Sequence, residues 1–207
     1  MIEINYSGTK EVFRKNLANI VTILGIIGAI WLLVVIVVYP EELWLILTLA
    51  VCVGLTDFID GLIARSLKIE SPLGSALDRI RDKLFIPPTL VFLVWYYWPT
   101  KDHSVIMTTL TAALVICLVA IEIVLLAGWV FGLLTERSVQ SNQYGRTKMF
   151  LQFIIVIVWF ISLLVGKYTD FQVIGFSLYF INALLIVTIY FAARSVGGYY
   201  LRYFGKE

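Results

Sequence analysis

Charge is scarce in this chain of 207 residues: Asp, Glu, Lys and Arg make up 14% of it, well under the roughly 25% of ordinary soluble domains. With 60% hydrophobic residues and a mean hydropathy of +0.92, that shortage excludes a water-soluble globular domain. Cysteine is nearly absent. Cys52 and Cys117 lie inside apolar stretches without metal-ligand spacing, which argues against a disulfide scaffold or a thiolate metal site. They read as small core residues. The one histidine, His103, reads as a solvated loop residue and leaves no basis for a histidine metal cage. No internal repeat, low-complexity tract or separate soluble domain is visible, and no nucleic-acid partner is expected. Nor is a cleavable leader expected, because residues 1–16 are polar and charged and the apolar run after them is too long for a signal core.

What is present is length in apolar runs. A hydrocarbon layer about 30 Å thick is crossed by roughly 20 helical residues, and stretches of that kind occupy 19–39, 43–64, 80–98, 104–128, 147–166 and 172–194. The fold class expected is all-α: a polytopic membrane protein with six transmembrane helices in a single domain over 1–207. A short interfacial helix within 1–16 precedes the bundle, where Ile2, Ile4, Val12 and Phe13 alternate with Lys10, Arg14 and Lys15, and a cytoplasmic tail follows over 195–207. When alternate loops are assigned to opposite sides, all of the sixteen Lys and Arg except Lys101 and Lys167 fall on one side. The positive-inside rule makes that side cytoplasmic and puts both termini there, in the cell membrane. Trp95, Tyr96, Tyr97 and Trp98 form an aromatic belt at the outer interface. Pro87 and Pro88 are expected to kink the third span.

Against this apolar background, one string stands out. Asp57, Asp60, Gly61, Ala64, Arg65, Gly74, Asp78 and Asp82 are spaced D-x2-D-G-x2-A-R-x8-G-x3-D-x3-D. Eight fixed residues recur by chance with a probability on the order of 10^-10 per start position. On a helix, Asp57, Asp60, Gly61 and Ala64 share one face, while Gly74, Asp78 and Asp82 share one face of the next. Two facing helices thus aim four carboxylates at one pocket. Like charges near a membrane repel and are costly, so the arrangement makes sense with divalent cations among them, and hard cations such as Mg2+ favour oxygen ligands. Two metals about 4 Å apart suit a diphosphate. The small residues leave room for a flat base or sugar, and Arg65 offers a planar donor fork to phosphate oxygens. Helix capping and surface ion pairs account for one or two of the aspartates, hardly for four. A cation-coupled transporter or divalent-ion channel is the rival from another class, but the inverted repeats common in transporters are missing. A catalytically dead scaffold is the third reading, and it predicts loss of an aspartate or glycine from the string.

The string resembles the signature of the CDP-alcohol phosphotransferase family at every fixed position. The resemblance implies six membrane helices, usually a homodimer, and transfer of a substituted phosphate from a CDP-linked donor such as CDP-diacylglycerol to an alcohol acceptor, with release of CMP. It implies that Asp57, Asp60 and Asp78 hold two divalent cations, Mg2+ or Mn2+. Asp82 would touch the metal and act as general base, and Gly61, Ala64, Arg65 and Gly74 would lie near the CDP moiety. Asn19-Ile20-Val21-Thr22 is similar to the N-x-x-T opening of the family's first span, which adds Thr22 as a nucleotide contact beside its plainer reading as a helix-terminus residue.

Arg137-Ser138-Val139 and Gly145-Arg146-Thr147-Lys148 resemble the stretch before span five in bacterial phosphatidylglycerophosphate synthases. Arg137, Arg146 and Lys148 are accordingly candidates for binding an acceptor phosphate or lipid headgroup, and ordinary positive-inside flanking is the equal alternative. One departure matters. Those synthases carry Arg directly before the span-four glutamate, Glu122 here, whereas this chain has Ile121. Arg79 and Arg81, flanking Asp78 and Asp82, are the substitutes at hand, and helical geometry lets at most one of them reach the pocket. Glycerol 3-phosphate is the first acceptor expected. Phosphatidylglycerol, inositol phosphate and serine are the alternatives.

Overall fold

A backbone within hydrocarbon must satisfy its own N–H and C=O groups, and the regular structure among the described residues is helical throughout. The computed structural model describes residues 6–67, 72–98, 105–135, 143–168 and 173–204, with side chains over 20–59, 74, 76–98, 105–135, 143–168 and 177–198. Six helices follow in order: α1 (Tyr6–Val38), α2 (Leu43–Leu67), α3 (Pro72–Tyr97), α4 (Val105–Leu134), α5 (Gln143–Tyr168) and α6 (Val173–Phe204).

Each helix coincides with one of the six apolar stretches, but several outrun it. At 33 residues, α1 begins at Tyr6 and continues without a break into the apolar stretch. That is about 50 Å of helix, more than the roughly 30 Å of a hydrocarbon layer. Likewise α4 continues to Leu134 and α6 to Phe204. The cause is general: hydropathy marks the part of a helix suited to lipid, whereas backbone bonding continues into its polar ends. Four segments are long and apolar enough to cross a membrane, Ile20–Val38, Val105–Leu134, Gln143–Tyr168 and Ser177–Gly198. In α2 the apolar part, Leu43–Ile59, is shorter. The first half of α3 carries Asp78, Arg79, Arg81, Asp82 and Lys83 and falls outside that group.

The chain divides into two compact units, 1–85 and 86–207. In the first, α1 and α2 pack together. The turn between them is closed by Glu42 N–H donating to the Tyr39 carbonyl at 3.1 Å, with Pro40 at the position where its fixed φ suits the turn. The Glu42 carbonyl then accepts from Ile46 N–H at 3.0 Å and opens α2. Small residues bring the helices close. A Cβ at Gly28 would lie 3.1 Å from Val53 Cγ2, and one at Gly25 would lie 2.8 Å from Arg81 Cδ and 3.1 Å from Thr56 Oγ1. Where lipid replaces water, such close contact is the main source of helix association.

In the second unit, α6 packs against α4 and α5. The buried positions of α4 are Thr111, Val115, Leu118, Glu122, Leu125 and Gly132, steps of three, four and seven that draw one stripe along the helix. Its remaining surface is as apolar as the stripe, with Ile116, Ile123 and Val124 exposed. The buried stripe of α6 runs Leu178, Ile181, Leu185, Thr188, Ala192 and Ser195. Thr111 donates to Asn182 Oδ1 at 2.8 Å and ties α4 to α6. Polarity is thus turned inward and apolar surface outward, the arrangement suited to lipid solvent. The expectation that Cys52 and Cys117 are core residues is corrected: both are exposed. Apolarity distinguishes inside from outside only when the solvent is water.

The glycines give opposite tests in one experiment. Gly25→Ala should destabilise the protein by about 1–3 kcal/mol through overpacking. Gly128→Ala has nothing within 4 Å of the new Cβ, and should stabilise α4 by up to about 1 kcal/mol through helix propensity. Thermal unfolding in detergent measures both, and shifts of the same sign would contradict the packing described.

Candidate active site

The site is assembled within the first unit from two helices. Asp57 lies on α2, and Asp78 and Asp82 stand one turn apart on α3, so both project from the same side of that helix. One ligand oxygen from each of the three carboxylates lies within 4.8 Å of the other two. Asp60, Gly61, Ala64 and Arg65 continue α2, but their side chains lie outside the described residues. Gly74 is part-buried near the start of α3, and Thr22 is buried on α1, one turn before Gly25.

A cation sits in the middle. Arg81 Nη2 donates to Asp57 Oδ1 and to Asp78 Oδ1, and lies 4.0 Å from Asp82 Oδ1. The arginine is buried to 1% exposure, whereas Asp57, Asp78 and Asp82 keep 43%, 45% and 17% of theirs. Its stem runs against Gly25. Of the two arginines that flank Asp78 and Asp82, Arg81 reaches the carboxylates of Asp57 and Asp78. Arg79 is part-buried. The i, i+3 offset from Asp78 to Arg81 is a legible helical pairing, but the reach from α3 to Asp57 on α2 is tertiary and leaves no mark in the sequence.

Three carboxylates face the Arg81 guanidinium, and they present hard oxygen donors that keep part of their exposure. The donor set fits Mg2+ or Mn2+.

The second unit holds a different buried polar group. Glu122 on α4 accepts from Lys148 Nζ at 2.5 Å and from Gln152 Nε2 at 2.7 Å, both on α5. Lys148 and Glu122 are nearly fully buried. Pairing removes the cost of an isolated carboxylate within an apolar bundle. Gln152 went unnoticed in the sequence, although its i+4 offset from Lys148 puts both on one face. Arg146 is exposed near the start of α5, and Arg137 lies outside the described residues. Arg194 of α6 stacks over the Tyr144 ring at 5.3 Å.

Comparison with known proteins adds an independent line. The profile of the CDP-alcohol phosphatidyltransferase family matches residues 15–193. A CDP-diacylglycerol–glycerol-3-phosphate 3-phosphatidyltransferase of Cereibacter sphaeroides is 36% identical over 83 residues, 39% of this chain and 38% of that protein. One of the same name from Pseudomonas fluorescens is 30% identical over 102 residues, 49% of each. A CMP-forming cardiolipin synthase of Streptomyces coelicolor is 34% identical over 86 residues, 39% of this chain and 38% of that protein. The chain spans less than half the length of the curated relatives it matches.

The buried ion pair makes its own prediction. Lys148→Met leaves the Glu122 carboxylate with Gln152 but without a counter-charge and should cost about 3–5 kcal/mol of stability, whereas replacing both Lys148 and Glu122 by Met should recover most of it. Unfolding midpoints of the single and double variants decide the matter. A double variant no more stable than Lys148→Met would contradict the pairing.

Proposed function

Because the chain belongs to the CDP-alcohol phosphatidyltransferase family, we propose that it transfers a phosphatidyl group from CDP-diacylglycerol to an alcohol acceptor and releases CMP. The observation that carries this reading is the convergence of Asp57, Asp78 and Asp82, at the signature's spacing, on one small volume. Asp57, Asp60, Asp78 and Asp82 would hold two divalent cations, Mg2+ or Mn2+. Such ions, when bound, polarise a phosphoryl oxygen and offset the charge that develops on the leaving CMP.

The chain's own side chains divide the rest of the work. Asp82, the least exposed of the three carboxylates, takes the proton of the acceptor hydroxyl on a carboxylate oxygen. The hydroxyl oxygen bonds to the β-phosphorus as the anhydride bond to CMP breaks, and CMP leaves with that electron pair. Gly61, Ala64 and Gly74 let the CDP moiety approach the backbone, Arg65 donates to its phosphate oxygens, and Thr22 contacts the nucleotide.

Glycerol 3-phosphate is the acceptor proposed, and Arg79, Arg137, Arg146 and Lys148 are each a candidate cation for its phosphate. Phosphatidylglycerol is the second reading. It is favoured by Ile121, where an arginine would grip a phosphate monoester, and by the engagement of Lys148 with Glu122. The whole chain is taken as one catalytic domain, since the family match runs through both compact units. In this reading it is a homodimer with six membrane helices in the cell membrane, and its termini and aspartates are cytoplasmic. The support for that orientation is the concentration of Lys and Arg on one side, all but Lys101 and Lys167.

The test uses purified protein in lipid vesicles with CDP-diacylglycerol, Mg2+ and a panel of alcohols. CMP should be released with glycerol 3-phosphate or phosphatidylglycerol, and release with neither, nor with inositol phosphate or serine, would overturn the activity. Asp82→Asn should lower turnover by roughly 10²- to 10⁴-fold, the usual worth of a general base, with metal-dependent nucleotide binding retained. Near-normal turnover would remove Asp82 from that role.

A further inference from the structure

The geometry points to Arg81 as a built-in counter-ion of the acidic cluster, one that clamps Asp57 and Asp78 together before a divalent cation arrives and then competes with that cation for their charge. The inference rests on the metal-binding reading above and concerns what this chain's own residue does to it.

Three observations carry it. First, a single nitrogen, Nη2, donates to carboxylates from two different helices and lies 4.0 Å from a third, so the positive charge is at their point of convergence. Second, the arginine is 1% exposed while the carboxylates it meets are 43% and 45% exposed, so it reaches them from the protein side and leaves their outer side to solvent. Third, the position is built for it. At Gly25 a Cβ would come within 2.8 Å of Arg81 Cδ and 3.2 Å of Nη1, so α1 offers a groove that only the missing side chain leaves open. A surface arginine that happened to fold over acidic neighbours would need no such groove.

The physical consequences have opposite signs. Without a cation, three carboxylates within 4.8 Å repel one another, and Arg81 relieves that repulsion, so the site is assembled in advance. With a divalent cation, the same positive charge opposes the incoming one and occupies lone pairs on two carboxylates. Affinity for the metal is therefore lower than the four aspartates alone would give, and the metal is retained best when a negatively charged pyrophosphate arrives with it.

Substituting the charge separates these effects. Arg81→Gln keeps hydrogen-bond donors and removes the charge, while Arg81→Lys keeps the charge and loses the fork. Titration of the detergent-purified protein with Mn2+, followed by the loss of free-ion EPR signal, should give about ten-fold or tighter binding for Arg81→Gln, the worth of one charge-assisted pair. Arg81→Lys should stay within about two-fold of the wild type, because it still carries the positive charge. Equal affinity of Arg81→Gln and wild type, or equally tightened binding by both variants, would overturn the inference.

Unfolding midpoints with Mg2+ and with a chelator supply the second measurement. Arg81→Gln should be more sensitive to chelation than the wild type, and a variant that folds only with metal supports the proposal. Equal sensitivity, or a variant that folds in neither condition, contradicts it. Wild-type protein that binds no Mn2+ at all would instead defeat the metal-binding reading itself.

Discussion

Everything at this site follows from repulsion that has to be offset. Two helices bring Asp57, Asp78 and Asp82 within 4.8 Å of one another. Nothing in an otherwise apolar helical protein would tolerate that arrangement unless positive charge came with it. The fold supplies such a charge in Arg81, and the acidic cluster is compatible with a divalent ion beside it. Gly25 on α1 belongs to the same design, since its missing side chain lets the arginine lie at the α1–α2 contact. The site and the helix packing are thus linked: the missing side chain of Gly25 leaves the space in which Arg81 is buried beside the carboxylates.

The rest of the molecule obeys the same economy of polarity. In α4 and α6 the buried stripes carry Thr111, Glu122, Asn182, Thr188 and Ser195, while the outward surfaces are aliphatic and aromatic. Glu122 accepts from Lys148 and Gln152 inside the second unit, as Asp57 and Asp78 accept from Arg81 inside the first. A charge in either place is retained with a partner, as the cost of an isolated ion in a low-dielectric interior requires.

Much of this was legible in the sequence. Apolar runs coincided with all six helices, although length and apolarity sufficient to cross a membrane are met by four segments among the described residues. The spacing D-x3-D puts Asp78 and Asp82 on one helix face, and the expected approach of Asp57 from α2 is present, while the side chain of Asp60 lies outside the described residues. Other features were not legible, for physical reasons. Hydropathy says nothing of where a helix ends once its backbone bonds continue into polar residues, hence the longer α1, α4 and α6. It does not separate lipid-facing from buried positions either, hence the outward Cys52 and Cys117. That Arg81 reaches Asp57 depends on the rotation of α3 against α2, and local spacing does not encode that rotation.

In the proposed reaction these aspartates would hold divalent ions against a pyrophosphate. An anomalous-difference map of the protein crystallised with Mn2+ and CDP-diacylglycerol tests it most directly. Ion peaks are expected at about 2 Å from carboxylate oxygens of Asp57, Asp78 and Asp82, the usual oxygen-ligand distance for a hard cation, with the diphosphate beside them. Peaks confined to other places, with these carboxylates held by Arg81 alone, would contradict it.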